Sequence, residues 1–260
     1  MITRAYVTTP EGQVHYQRAG QGDRTILLLH QSPVSSDQYL KVMPLLAARY
    51  TVLAPDNLGY GKTDKPSGLI EVADYARNAC HFLKALNIGR ASVVGHHTGA
   101  SIGVELAIAH PEMVDRLILY GCPTIDPVVR EKLLSHPRYA PLDIKEDGSH
   151  LLRVWQFFQR GSPEAGPEIW HQLVSQCLPA GKDPFAGEKT VFRYREEPRL
   201  PLVKTPTLLI SGTKDVFHAR LDVLERLMPD AAVTIIEGGD SQVLLRMPEE
   251  FTRAVLDFLE

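Results

Sequence analysis

Two histidines between two glycines, in Gly95-His96-His97-Thr98-Gly99, are the residues whose types and spacing most directly suggest chemistry. An apolar run over residues 91–95 precedes them, as in a buried strand, and a helical pattern over residues 101–110 follows. This is the spacing of G-x-S-x-G, in which a strained turn between strand and helix raises a nucleophilic serine above a parallel sheet. His97 stands at the serine position, so the sequence predicts a raised imidazole in place of a hydroxyl.

Two aspartates that follow predicted strands supply acidic partners for this imidazole. Asp215 comes shortly after an apolar run at residues 207–210, and Asp240 follows Gly238-Gly239. We expect His97 to face Asp240, with Asp215 nearby, as a His/Asp dyad without a serine. A carboxylate that accepts one ring N–H fixes the tautomer and strengthens the other nitrogen as a base. The pattern therefore predicts general acid–base catalysis, which typically contributes ~10²–10⁴-fold to a rate.

Strands that alternate with helices must position these side chains. The alternation predicts a mainly parallel sheet with helices on both faces, preceded by an amino-terminal hairpin. The predicted strands are residues 6–8, 14–18, 25–29, 51–54, 91–95, 116–120, 207–210 and 232–236, and the predicted helices are residues 72–86, 101–110 and 247–259.

Residues 124–199 break this alternation. They hold both tryptophans, Trp155 and Trp170, several Pro and Gly breaks, and no run typical of a parallel strand. A structureless loop in a compact domain rarely exceeds ~12–15 residues. We therefore predict a mostly helical cap at residues 124–199, inserted into a core of residues 1–123 and 200–260. Aromatic residues of this cap would line an apolar pocket over His97.

Five segments, in this order, resemble the α/β-hydrolase family over nearly the whole chain. The resemblance implies an α/β fold with an eight-stranded, mainly parallel sheet and a cap. It also implies that Asp215 stands at the acid position, His97 at the serine position and Asp240 at the histidine position of the family's triad. The segments are LLLHQSP at residues 27–33, DNLGYGKTDKP at 56–66, GHHTG at 95–99, ISGTKD at 210–215 and EGGD with MPEEF at 237–240 and 247–251.

The resemblance further implies an oxyanion hole. Its backbone donors would be the N–H of Thr98 and that of Ser32, with Gln31 as an alternative. Gln31 replaces a glycine of the family pattern, so it would strain the turn if a positive φ is needed there, or its amide could point at the substrate. His96 is expected to pack beside the nucleophile position or to line the pocket.

The predicted function is a cofactor-independent enzyme that acts on a small, apolar or aromatic carbonyl compound by His/Asp general base catalysis, and not a serine esterase. Hydrolysis, C–C cleavage, elimination and isomerisation all stay open. One alternative is a non-catalytic ligand-binding or scaffold protein on the same fold. A second is a metal-dependent enzyme that uses His97, Asp215 and Asp240, with His96 or His30 near.

Composition narrows the class of partner. The 260 residues carry a formal net charge of −3, and acidic and basic residues are interspersed, which argues against nucleic acid. Three cysteines at no metal-ligand spacing indicate reduced thiols. The amino terminus lacks a signal-peptide pattern, and no apolar run reaches the ~18 residues that a membrane span needs. We expect a cytoplasmic protein with a small-molecule substrate; the oligomeric state stays open.

Overall fold

The computed structural model describes residues 1–260 as an eight-stranded sheet between layers of helices. Along the sheet the strands follow the order β1-β2-β4-β3-β5-β6-β7-β8. Strands β1 and β2 pair antiparallel, β2 pairs antiparallel with β4, and the remaining pairs are parallel. This confirms the predicted mainly parallel sheet. The strands are β1 Thr3–Thr9, β2 Gly12–Ala19, β3 Thr25–Leu29, β4 Thr51–Pro55, β5 Ala91–His96, β6 Val114–Tyr120, β7 Thr207–Gly212 and β8 Ala232–Ile236.

Ten α-helices, some only one turn long, cover the sheet and form the cap. The predicted helix at residues 101–110 begins three residues earlier, directly after His97, so the turn that carries the imidazole has no slack. The helices are α1 Met43–Leu46, α2 Val72–Ala85, α3 Thr98–Ala109, α4 Pro127–Ser135, α5 Ser149–Gly161, α6 Pro167–Cys177, α7 Ala186–Arg193, α8 Leu221–Leu227, α9 Val243–Arg246 and α10 Pro248–Leu259.

The central strands are buried on both faces, which explains their unbroken apolar runs. In β5, Val93 packs into the cluster that contains residues of α2 and α3, whereas its neighbour Val94 packs into the opposite cluster with residues of α1 and α10. Leu27 and Leu28 of β3 divide in the same way. Alternating side chains of one strand thus anchor both helical layers, and the sheet becomes a rigid base for the loops at its carboxyl edge.

Between β6 and β7 the chain forms α4 to α7 and no strand, which confirms the helical cap. A separate apolar cluster, which includes Phe158, Leu173 and Phe185, holds the cap together and meets Val34 and Leu245 of the core. The boundaries of this cap at residues 124 and 199 stay a prediction. None of the helices combines the length and the apolar character that crossing a bilayer would require.

A buried glutamate lies where the cap returns to the core. Glu196 is 1% exposed, and its Oε2 accepts a hydrogen bond of 3.0 Å from the Ser101 hydroxyl of α3. Its Oε1 lies 3.6 Å from the Cys122 sulfur, just after β6. Burial raises the pKa of Glu196 to about 8, and the Glu197 carboxylate adds to the shift. The junction between cap and core therefore contains an uncharged carboxyl group at neutral pH.

We predict that Glu196→Gln flattens the pH dependence of stability. Because the pKa of Glu196 is about 8 when folded and 4.5 ordinarily, the folded protein keeps a proton that the unfolded chain has lost between those values. The stabilising contribution is therefore fully present below pH 4.5 and disappears as the pH rises through about 8. Glutamine does not titrate, so the free energy of unfolding should fall less steeply, by at most ~1.4 kcal/mol per pH unit.

Urea unfolding of both proteins, measured at intervals across that range, checks this prediction. Comparing the variant with the parent isolates Glu196 from other groups that titrate in the same window. Parallel curves for the two proteins would contradict the account of the junction.

Candidate active site

The turn between β5 and α3 holds His97 in a backbone conformation that side chains rarely adopt, with φ 47° and ψ −106°. Its N–H donates to the Tyr120 carbonyl at 3.0 Å, and its carbonyl accepts from Ala100 and Ser101 at 2.8 and 3.1 Å. Gly99 permits the tight turn, because a Cβ there would lie 1.9 Å from the Leu29 carbonyl oxygen. Such positive-φ residues cost ~1–3 kcal/mol and cluster at functional sites.

The imidazole of His97 reaches a carboxylate directly. Its Nε2 lies 2.8 Å from Oδ2 of Asp215, whose side chain is 0% exposed. Phe217 N–H donates to the other carboxylate oxygen at 2.9 Å, and the Ser241 hydroxyl donates to Oδ2 at 3.3 Å. Burial alone would raise the pKa of Asp215, but His97 and these donors outweigh burial and hold the pKa below its usual value. An ionised carboxylate only accepts, so Nε2 carries the proton and Nδ1 is left as the basic nitrogen.

The expectation that His97 faces Asp240 is wrong. Arg246 Nη1 donates to Asp240 Oδ2 at 2.6 Å, and the N–H of Gln242 donates to Oδ1 at 2.9 Å. The reason is reach: an imidazole at position 97 spans the distance to Asp215 alone and needs no intermediate side chain from position 240. Asp240 instead fixes its own loop against α9.

The two residues expected to supply oxyanion donors do lie together. Ser32 N–H donates to the Thr98 side-chain oxygen at 3.2 Å, so this donor is engaged within the chain. Thr98 N–H is at the first position of α3, where no earlier turn supplies an acceptor. Gln31 is not strained, since the only non-glycine residues with positive φ are Asn87 and His97. Its amide donates to the Ser241 carbonyl at 3.1 Å and therefore ties two loops together.

His96 lies behind the turn and does not line the cavity described below. It is 1% exposed, and its ring packs edge-on against Tyr120 and His97, with centroids 5.0 and 4.4 Å apart. Neither ring nitrogen has a hydrogen-bond partner. Burial, with His97 and His30 nearby, lowers the pKa of His96 well below its usual value. The expectation that His96 contacts substrate is thus corrected: it is a neutral packing residue.

Donor atoms of His96, His97 and Asp215 lie within 4.8 Å of one another. These three, without Asp240, are therefore the residues whose types and positions suit a 2-His-1-carboxylate metal site. His30 does not belong to this group. Its Nδ1 donates to the Gln31 carbonyl at 2.8 Å, and its Nε2 accepts from Asn57 N–H at 2.8 Å, so both nitrogens are satisfied.

A cavity of about 510 Å³ opens over His97 between the core and the cap. His97, Ser32 and Thr98 line it from the core. Trp155 and Trp170 do not line it; they pack edge-on against each other at 5.8 Å. The cap contributes an apolar wall, as expected for a pocket over the imidazole, formed by Leu133, Tyr139, Phe157, Phe158, Val191 and Phe192.

Charged side chains in this cavity were not identified from the sequence. Glu188 of α7 is half-buried, but both of its carboxylate oxygens are enclosed and lack a hydrogen-bond partner. Burial, with the Asp183 charge adding, raises the pKa of Glu188 to about 8. Arg138, Arg160 and Arg220 also line the cavity. No local signal marks such residues, because charged side chains on cap helices usually face solvent.

Comparisons with known proteins bear on this site. A family model of the α/β hydrolase fold matches residues 24–244. An uncharacterized protein of Mycobacterium tuberculosis is 41% identical over 271 residues, which cover 94% of this chain and 77% of that protein. A 2-hydroxy-6-oxo-6-(2'-aminophenyl)hexa-2,4-dienoic acid hydrolase of Metapseudomonas resinovorans is 32% identical over 268 residues, covering 95% and 87% of the two chains.

Among solved structures, a hydrolase from Pseudomonas aeruginosa superposes with a TM-score of 0.85 at 19% identity, and the match covers 99% of this chain and 98% of that one. At that identity the likeness establishes the fold alone. The family model and the relatives carry the assignment further, since both span almost the whole chain. On this evidence the chain belongs to the α/β-hydrolase fold family, whose named relatives here are hydrolases of small compounds.

Proposed function

We propose that this chain is a hydrolase of small carbonyl compounds in which His97, oriented by Asp215, acts as a general base on water. The observation that carries the proposal is the 2.8 Å contact between His97 Nε2 and the buried Asp215 carboxylate at the wall of the cavity. That contact fixes the tautomer and leaves Nδ1 to accept a proton. The elbow offers no hydroxyl at its tip, so an acyl-serine is not part of the proposal.

The proposed hydrolysis proceeds in two steps. A water proton moves to His97 Nδ1 while the water oxygen bonds to the substrate carbonyl carbon, and the carbonyl electron pair moves to oxygen. The resulting oxyanion is stabilised by the N–H of Thr98 and by the Thr98 hydroxyl, which already accepts from Ser32 N–H and can donate its own proton. When the oxyanion collapses, the bond to the leaving group breaks, and His97 returns the proton to that group.

Asp215 is the positioning carboxylate of this scheme, since it holds the imidazole and stabilises the imidazolium formed in the first step. Asp240 has a different role in the proposal. Its ion pair with Arg246 fixes the loop that carries Ser241, and Ser241 donates to Asp215. Asp240 therefore acts through the loop and does not contact the reacting atoms.

The substrate class is suggested by the cavity and by a relative. The aromatic wall of Phe157, Phe158 and Phe192 suits an apolar or aromatic body. The relative from Metapseudomonas resinovorans, named for an aminophenyl dienoic acid with a 6-oxo group, acts on a compound of this type. We therefore propose an aryl-substituted carbonyl compound as substrate, cleaved at a C–C or acyl bond next to the carbonyl.

His97→Ala and Asp215→Asn are each expected to lower kcat by ~10²–10⁴-fold, because the first removes the base and the second removes the charge that orients it. The assay follows hydrolysis of a panel of aryl ketones and aryl esters that includes the dienoic acid named for the relative. Circular dichroism and thermal unfolding of each variant check that the fold persists.

His81→Ala is the matched control. His81 Nδ1 also contacts a carboxylate, Glu11, at 2.8 Å, but this pair lies outside the cavity. Its removal should leave kcat unchanged. Turnover that survives in folded His97→Ala protein would refute the base. Tight ligand binding with no turnover by the parent protein would favour a non-catalytic binding role.

A metal-dependent reaction is the second candidate, favoured by the proximity of His96, His97 and Asp215. We expect EDTA to leave activity unchanged, since the facing atoms of His97 and Asp215 already satisfy each other through a hydrogen bond. Elemental analysis of the purified protein checks this prediction. One equivalent of zinc or iron, lost together with activity in His96→Ala, would replace general base catalysis with metal-activated water.

A further inference from the structure

The cavity over His97 carries more positive than negative charge. Arg138, Arg160 and Arg220 line it, and none of them forms an ion pair within the chain. Arginines that do form ion pairs near the cap lie elsewhere, such as Arg130 with Glu197 and Arg199 with Glu105. The cavity therefore presents guanidinium groups that no protein carboxylate neutralises.

The two acidic residues of the cavity do not compensate for these arginines. Asp126 caps α4, where its carboxylate accepts from the N–H groups of Val128 and Val129 at 2.9 and 3.4 Å. Glu188 has enclosed carboxylate oxygens, and its pKa of about 8 leaves it largely uncharged at neutral pH. An anionic ligand would thus meet attraction from the arginines and little repulsion from Glu188.

Arg220 is the arginine best placed to hold such a ligand. Arg138 and Arg160 are exposed, whereas Arg220 is half-buried and its Nε–H is enclosed without a hydrogen-bond partner. It lies in the short turn His218–Arg220, directly after Phe217. Phe217 packs edge-on against the His97 ring, with centroids 5.0 Å apart. An enclosed N–H that lacks a partner is rare in native proteins and gains from a ligand oxygen.

We propose that this cavity binds a small organic carboxylate, with the carboxylate on Arg220 and an apolar body against Phe157, Phe158 and Phe192. Guanidinium groups match carboxylates geometrically through paired N–H donors. Joined to the proposed function, on which this step rests, the substrate carries a carboxylate in addition to the carbonyl that reacts at His97. Binding of the carboxylate itself requires no turnover.

Calorimetric binding to the unmodified chain at neutral pH tests the proposal. The probes are benzoate, phenylacetate and 4-phenylbutyrate, the three matching amides, and inorganic phosphate. At least one carboxylate should bind about 10-fold or more tightly than its amide. Arg220→Gln should weaken carboxylate binding by about 10- to 100-fold and leave the amides unaffected, since a charged hydrogen bond is lost. Arg220→Lys should restore part of the preference.

Arg226→Gln is the control, since this exposed arginine of α8 loses the same charge only six residues away but outside the cavity. Its affinities should equal those of the parent. Equal affinity for carboxylates and amides, no effect of Arg220→Gln, no binding of any carboxylate up to its solubility, or phosphate binding as tight as carboxylate binding would each overturn the proposal. Carboxylate binding without turnover would refute the proposed function alone, whereas turnover of uncharged ketones without this preference would refute the present inference alone.

Discussion

The hydrogen bond between His97 and Asp215 organises the carboxyl edge of the sheet. It joins a residue held at φ 47° after β5 to a carboxylate that follows β7, so both partners depend on strands fixed by the central core. Gly121, at the end of β6 between them, has to lack a side chain, because a Cβ there would lie 2.5 Å from His97 Nε2. The pair thus occupies a space that three neighbouring strands leave for it.

Enclosure gives this interaction its consequence. A buried carboxylate without partners would take up a proton, yet Asp215 keeps its charge because His97, Phe217 and Ser241 all donate to it or lie beside it. The surrounding loops are fastened in turn. Gln31 binds the Ser241 carbonyl, and Asp240 binds Arg246. Residues that depart from the family pattern at positions 31 and 240 therefore act as ties between loops, and the imidazole rests on a rigid surround.

Much of this architecture follows from sequence, for reasons that particular residues make clear. Val93 and Val94 face opposite layers, so β5 appears as an unbroken apolar run, and the glycine spacing around His97 marks the elbow. The partner of His97 did not follow. Choosing between Asp215 and Asp240 depends on the reach of an imidazole and on Arg246, which neutralises Asp240 from the next helix. Glu188 and Arg220 escaped notice because their burial arises from packing between cap and core, which no local pattern encodes.

Loss of the elbow serine would also change what the cavity has to do. In an acyl-serine mechanism the enzyme holds part of its substrate covalently, whereas a water attacked through His97 meets a substrate held by noncovalent contacts alone. Orientation of both reactants then has to come from the cavity walls, and correct placement is worth a large share of a barrier. An apolar wall from the cap fixes the body of a ligand in two directions, and a single charged contact at Arg220 would fix its third. On this view the arginines of the cavity compensate in positioning for the covalent bond that the elbow no longer forms.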